Sequence, residues 1–225
     1  MGWEQWVRGP EIEPSIYAAD FARLGDDLAR LLDGGAKIFQ FDVGDGHFVP
    51  PVTIGPIVLE AISPLFRGRG GILDVHLMVD NPARHLEAFA QAGADSITFH
   101  LEAADDPAAL AEQARALGLG AGLAIKPETE PEAAAEAGRG FDVVLCMGVR
   151  PGYSGQAYLP ETTERVHRLR ELLGPEPHVQ VDGGVGPENA RALREAGADL
   201  FVAGSSVFAH DDPVAAYREL AELVS

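Results

Sequence analysis

Three short runs combine side chains that can move protons or hold a cation: Gln40-Phe41-Asp42, Asp74-Val75-His76-Leu77-Met78 and Val181-Asp182-Gly183-Gly184. Aspartate and histidine brought together act as general acids and bases or ligate a divalent metal. His100, Glu102 and Lys126 add further titratable groups. Glycine-bearing runs, Pro151-Gly152-Tyr153-Ser154-Gly155-Gln156, Gly183-Gly184 and Gly204-Ser205-Ser206, suit an anion resting on backbone N–H groups. Plainer readings compete with each of these. A lone strand histidine is more often a hydrogen-bonded structural residue, an aspartate before two glycines is often a turn residue, and the glycines could serve tight turns alone.

What would position these groups is a beat of short β-branched runs alternating with Ala/Leu/Glu/Arg stretches, the pattern of parallel strands linked by helices. Strands are predicted at 12–17, 38–43, 72–78, 96–101, 120–125, 143–149, 178–182 and 200–203. Helices are predicted after them, among them 20–32, 82–92, 107–117, 161–173, 187–196 and 213–223. Asn81-Pro82, Asp106-Pro107 and Asp212-Pro213 place a capping side chain before a proline tolerated in the first turn. Ala92-Gly93-Ala94-Asp95 and Ala196-Gly197-Ala198-Asp199 repeat a glycine helix stop. Eight regular units and the glycine loops after the last two strands favour an α/β fold of the (β/α)8 TIM-barrel type over an open sheet. In that architecture the active groups stand at strand C-termini. Strand residues two apart share a face, so Gln40 pairs with Asp42, and Asp74 with His76 and Met78.

The 225 residues, 46% of them apolar, suit one barrel domain over 1–225, with 1–10 as an N-terminal extension whose Trp3 and Trp6 pack under the barrel or at a subunit contact. Lysine plus arginine number 17 against 35 acidic residues, a net charge of -18 that argues against nucleic acid or an anionic membrane as partner. Cys146 is the single cysteine, which excludes an internal disulfide and is expected to pack within a strand. Without a basic-then-apolar start or a run of about 18 apolar residues, a soluble, cytoplasmic protein is expected.

Pro14-Ser15-Ile16, Ala19-Asp20-Phe21, Asp45-Gly46-His47-Phe48-Val49-Pro50, Asp74-Val75-His76-Leu77-Met78, Thr98-Phe99-His100-Leu101-Glu102-Ala103, Val181-Asp182-Gly183-Gly184-Val185 and Ala203-Gly204-Ser205 stand in an order that resembles the ribulose-phosphate 3-epimerase family. The likeness runs from about Glu13 to Phe208. It implies an isomerase that interconverts D-ribulose 5-phosphate and D-xylulose 5-phosphate through a metal-stabilised enediolate. Asp42 and Asp182 would then be the acid/base pair and, with His76, metal ligands. The sugar pocket would take Ser15, Tyr17, Gly44, His47, Met78 and Met147, with Gly152, Ser154 and Gly155 from the loop after strand six. Gly183, Gly184, Gly204 and Ser205 would hold the phosphate. The resemblance also implies a homo-oligomer.

Gln40 stands where the family carries a histidine ligand. An amide oxygen binds more weakly than imidazole, so a divalent ion (Zn, Mn, Mg or Fe) is expected to be loosely held or absent. Gly44, Tyr17, Arg150 and Ser154 depart from the family pattern as well, which suggests a reshaped pocket. Two alternatives follow: a paralogue acting on another phosphorylated sugar, such as a six-carbon ketose phosphate, and a silent barrel that only binds sugar phosphates. Decarboxylation or aldol cleavage would want a strand-end lysine, and Lys126 in its Lys-Pro context reads as structural.

Overall fold

The protein is described here by a computed structural model covering residues 2–225; Met1 of the expected 1–10 extension lies outside the described residues. Eight strands form one parallel sheet: β1 Glu11–Pro14, β2 Ile38–Gly44, β3 Ile72–Met78, β4 Ser96–His100, β5 Gly120–Ile125, β6 Val143–Met147, β7 His178–Asp182 and β8 Leu200–Ala203. Each strand pairs with the next in sequence from β2 to β8, and β8 pairs with β1. The circle closes where β1 meets β2 through a single bridge, Ser15 to Gln40. Helices α1 Trp3–Trp6, α2 Leu24–Asp33, α3 Pro56–Arg67, α4 Leu86–Ala92, α5 Pro107–Ala116, α6 Pro131–Ala137, α7 Thr162–Leu173, α8 Ala190–Glu195, α9 Ser205–Phe208 and α10 Pro213–Val224 complete the chain. The (β/α)8 barrel expected from the sequence is the observed architecture. Among the described residues no helix is long and apolar enough to cross a membrane.

Strand alternation divides the chemistry. Outward-facing Phe39, Phe41, Val75, Leu77, Ile97 and Phe99 are fully buried against the helices, with Phe39 edge-on to Phe66 of α3 and Phe41 to Phe89 of α4. Inward-facing Gln40, Asp42, Asp74, His76, Thr98 and His100 are also buried, so the barrel interior is polar. The outer shell supplies the hydrophobic stabilisation, which frees the lumen for chemistry.

Several boundaries differ from expectation for local reasons. The first strand stops at Pro14, and Ile16–Ala18 forms a 3-10 turn. Ser15 N–H and Glu11 N–H both bond toward β8. By alternation the nitrogen of Pro14 faces β2, where it has no hydrogen to give. Asp106 and Asp212 cap α5 and α10 as expected. Asn81 does not cap: its side chain makes no such bond, and Pro82–Arg84 is a 3-10 turn ahead of α4. Gly93 and Gly197 end their helices at φ 105° and 106°, conformations that side chains rarely adopt. Trp3 plugs the bottom of the barrel, donating from its indole to Ser96 Oγ over 3.1 Å and packing on Val7, Ile38, Val143 and Leu200. Cys146 is free and buried in β6.

Candidate active site

At the top of the barrel β2, β3 and β7 bring Asp42, His76 and Asp182 together. His76 Nδ1 lies 3.0 Å from Asp42 Oδ1 and 3.4 Å from Asp182 Oδ2. Register explains the first contact, because Asp42 is the direct partner of His76 across the β2–β3 ladder. Asp42 is further fixed by Ser15, whose hydroxyl donates to Oδ2 over 2.6 Å, and by Gln40, whose amide donates to Oδ1 over 2.8 Å. Burial alone would pull the His76 pKa down, but hydrogen bonds and charge from Asp182 and Asp42 outweigh it and hold the ring up at about 9. Burial raises the Asp182 carboxyl, and the neighbouring Asp42 charge adds to that rise.

One ligand atom from each of Asp42, His76 and Asp182 lies within 4.8 Å of the others, a spacing that fits a divalent cation. Gln40 bears on the fit as well. Its Oε1 is buried without a hydrogen-bond partner among the described residues, while its Nε2 faces Asp42 and His76. Turning the amide would present that orphaned oxygen to the cluster as a fourth, weaker donor.

A cavity opens above this cluster. Its wall includes Ser15, Tyr17, Asp42, Met78, Met147 and Asp182 at the floor and sides, Gly152, Ser154 and Gly155 from the β6 loop, and Gly183, Gly184, Gly204 and Ser205 at the far end. Gly183 and Gly184 have φ of 110° and 68°, and a Cβ on Gly184 would stand 2.9 Å from the Tyr158 backbone. Only glycine takes that turn without a steric clash. Val149, Tyr153, Gln156, Val185 and Val202 line the cavity too, although the sequence did not mark them individually as pocket residues.

Gly44 and His47, expected in the pocket, are not part of this wall. A Cβ on Gly44 would stand 2.7 Å from the Pro51 carbonyl and 2.8 Å from Val49, so its small size serves the packing of the following loop. His47 is an exposed turn residue whose Nδ1 meets the Asp45 carbonyl oxygen over 3.1 Å. Arg150 also turns away, pairing with Glu128 over 2.8 Å on the surface.

Residues 11–208 match the ribulose-phosphate 3 epimerase family. The chain is 43% identical to "Ribulose-phosphate 3-epimerase" of Mycobacterium bovis, over 94% of this chain and 92% of that one. It is 41% identical to the protein of the same name from Synechocystis, over 88% and 86% of the two chains. Among solved structures it is similar to 3-hexulose-6-phosphate synthase (TM-score 0.72, 19% identity, 96% and 100% covered) and to KGPDC from Streptococcus mutans (TM-score 0.70, 14% identity, 96% and 98% covered). At those identities the structural likeness concerns the fold alone.

Proposed function

Since the chain belongs to the ribulose-phosphate 3-epimerase family, we propose that its cavity takes D-ribulose 5-phosphate and that Asp42 and Asp182 exchange the proton on C3. The protein is an isomerase acting on a carbohydrate. The observation that carries the assignment of roles is the contact of both carboxylates with one imidazole, at the floor of a cavity whose far end is glycine.

Inverting a carbon beside a carbonyl needs a base on one face of the sugar and an acid on the other. Asp42, which accepts hydrogen bonds from Ser15 and Gln40, is the base in one direction. Asp182, pushed up by burial and by Asp42, carries the proton that is returned, and the roles reverse in the opposite direction. Met78 and Met147 give the reacting face an apolar, polarizable wall that limits water. The backbone of Gly183, Gly184, Gly204 and Ser205 receives the phosphate; local amide dipoles outweigh a screened net charge of -18. Asp42, His76 and Asp182, with Gln40 turned, would hold a divalent cation such as Zn, Mn, Mg or Fe, whose charge would stabilise the enediolate oxygens.

Purified protein incubated with D-ribulose 5-phosphate in D2O should wash deuterium into C3. Asp42→Asn and Asp182→Asn should each lower exchange by about 10²–10⁴-fold. No incorporation under any of these metals would overturn the proposal. A six-carbon substrate is not favoured, since two of the changes that suggested it, Gly44 and Arg150, lie outside the cavity wall. Retention of both carboxylates likewise speaks against a silent barrel.

A further inference from the structure

Beyond the cluster, a line of side chains runs from the buried face of His76 to the surface and leaves no freedom in where its protons sit. His76 Nε2 lies 2.9 Å from His100 Nε2, and His100 Nδ1 lies 3.2 Å from Glu102 Oε2. The other oxygen of Glu102 accepts the Lys126 backbone N–H over 2.8 Å and the Thr129 hydroxyl. The His100 ring meets His76 edge to edge, nearly in one plane with centroids 5.1 Å apart, and packs on Phe48 at 4.8 Å, whose ring also carries the Lys126 ammonium. His76 and His100 are fully buried, so neither ring can turn to water for a partner.

Hydrogen counting along this line gives one answer. Glu102 is a carboxylate with donors already on Oε1, so Oε2 can only accept and His100 Nδ1 must carry hydrogen. His100 Nε2 is then a lone pair facing another ring nitrogen, and the single hydrogen between them belongs to His76 Nε2. That leaves His76 Nδ1, the atom facing Asp42 and Asp182, as the nitrogen whose lone pair would be offered to a cation. The geometry points to Glu102 and His100 as positioning residues that lock His76 in the Nε2–H tautomer and aim Nδ1 at the carboxylates. Metal-ligating histidines generally donate their second N–H to an outer acceptor; here a second histidine is interposed and the controlling carboxylate stands one strand further round, at the end of β4.

The inference rests on the reading of Asp42, His76 and Asp182 as cation ligands, and its test separates the two. In metal-free protein labelled with 15N-histidine, the hydrogen between the rings should show its one-bond coupling to His76 Nε2 and a weaker coupling across the hydrogen bond to His100 Nε2. Finding it attached to His100 would overturn the proposal whether or not the site takes metal. Glu102→Gln is the sharper variant. Lys126 N–H and Thr129 hold the amide oxygen where Oε1 was, so the amide donates toward His100 Nδ1 and each tautomer along the line reverses. Mn2+ titrated into metal-free protein and followed by calorimetry should bind about 10–100-fold more weakly in this variant. Unchanged Mn2+ affinity with the reversed coupling would overturn the positioning role, and absence of Mn2+ binding in the unmodified protein would overturn the cation reading alone. His100→Phe, which keeps an aromatic ring against Phe48 while removing the acceptor, should weaken Mn2+ to a similar degree. Near-parental affinity in that variant would also sink the proposal.

Discussion

At the scale of single residues, the site is governed by what Gln40 can and cannot give. Its amide donates to Asp42 and leaves its oxygen buried and unpaired, so the position contributes less to a cation than imidazole would. Gln40→His should therefore tighten Zn2+ or Mn2+ binding by roughly tenfold or more, measured by calorimetry on metal-free protein, with the fold unchanged by circular dichroism. Equal affinity would mean that Gln40 is already an adequate ligand. The meeting of Asp42, His76 and Asp182 was legible in the sequence because all three sit toward the C-terminal ends of clearly patterned strands. Gly44 and His47 lie off the cavity wall, since a motif in a loop does not say which of its residues turn inward; a tight carbonyl contact decides one and an exposed turn the other. His100 and Glu102 were visible as strand-end polar groups. Their link to His76 follows from three-dimensional proximity, which spacing along one strand does not reveal.

At the scale of elements, the A-G-A-D repeat turns out to be more than a helix stop. Its Asp95 and Asp199, and Asp142 outside the repeat, each precede an even-numbered strand, and each accepts with its side chain the N–H of the second residue of the strand before it: Leu73 on β3, Val179 on β7 and Ala121 on β5. Their carbonyls bond forward to Gly120, His178 and Glu11, so each aspartate ties three neighbouring strands at the bottom of the barrel. Asp199 also binds Arg170 from α7, and its carboxyl is held below the usual range, with bonds from His178 and Arg170 outweighing partial burial. Asp199→Ala should cost about 2–3 kcal/mol, read as a lowered midpoint in urea with unchanged m-value. A loss below about 0.5 kcal/mol would show that the ties are ornamental. The glycines of the repeat could be read from sequence since only glycine takes the left-handed stop cheaply. The role of its aspartates could not, because their partners lie about 20 residues away on another strand.

At the scale of the whole molecule, a polar layer lies inside the barrel beneath the active site, and nothing in the alternating pattern announced it. Gln180 donates to Glu13 over 2.5 Å and to Asp74 over 3.2 Å, all three fully buried, while Glu13 Oε1 and Gln180 Oε1 find no partner. Burial drives both acids upward, Asp74 to about 6, and their mutual repulsion raises Glu13 further. Folded-state values above the unfolded ones mean that the folded state favours the protonated acids. Their contribution is present below the ordinary carboxylate range and is lost as pH rises through about 6. Glu13→Gln keeps the shape and removes one charge, so it should raise stability at pH 7 by about 1–3 kcal/mol and flatten the decline between pH 4 and 7 in thermal melts. A destabilised variant would show that the charge is held favourably.

The eight strand junctions are not equal. Seven are full ladders, whereas the eighth, where Pro14 withholds its hydrogen, is a seam held by one bridge. Asp42 and Ser15 stand on its two lips, and Asp182 stands on a zipped stretch of wall. The two carboxylates proposed to transfer the proton thus differ in their support, one beside the seam and the other on a continuous ladder. The Ser15 hydroxyl already spans that seam to Asp42, so a ligand seated against both would reinforce, with its own bonds, the one junction that the backbone leaves to a single bridge.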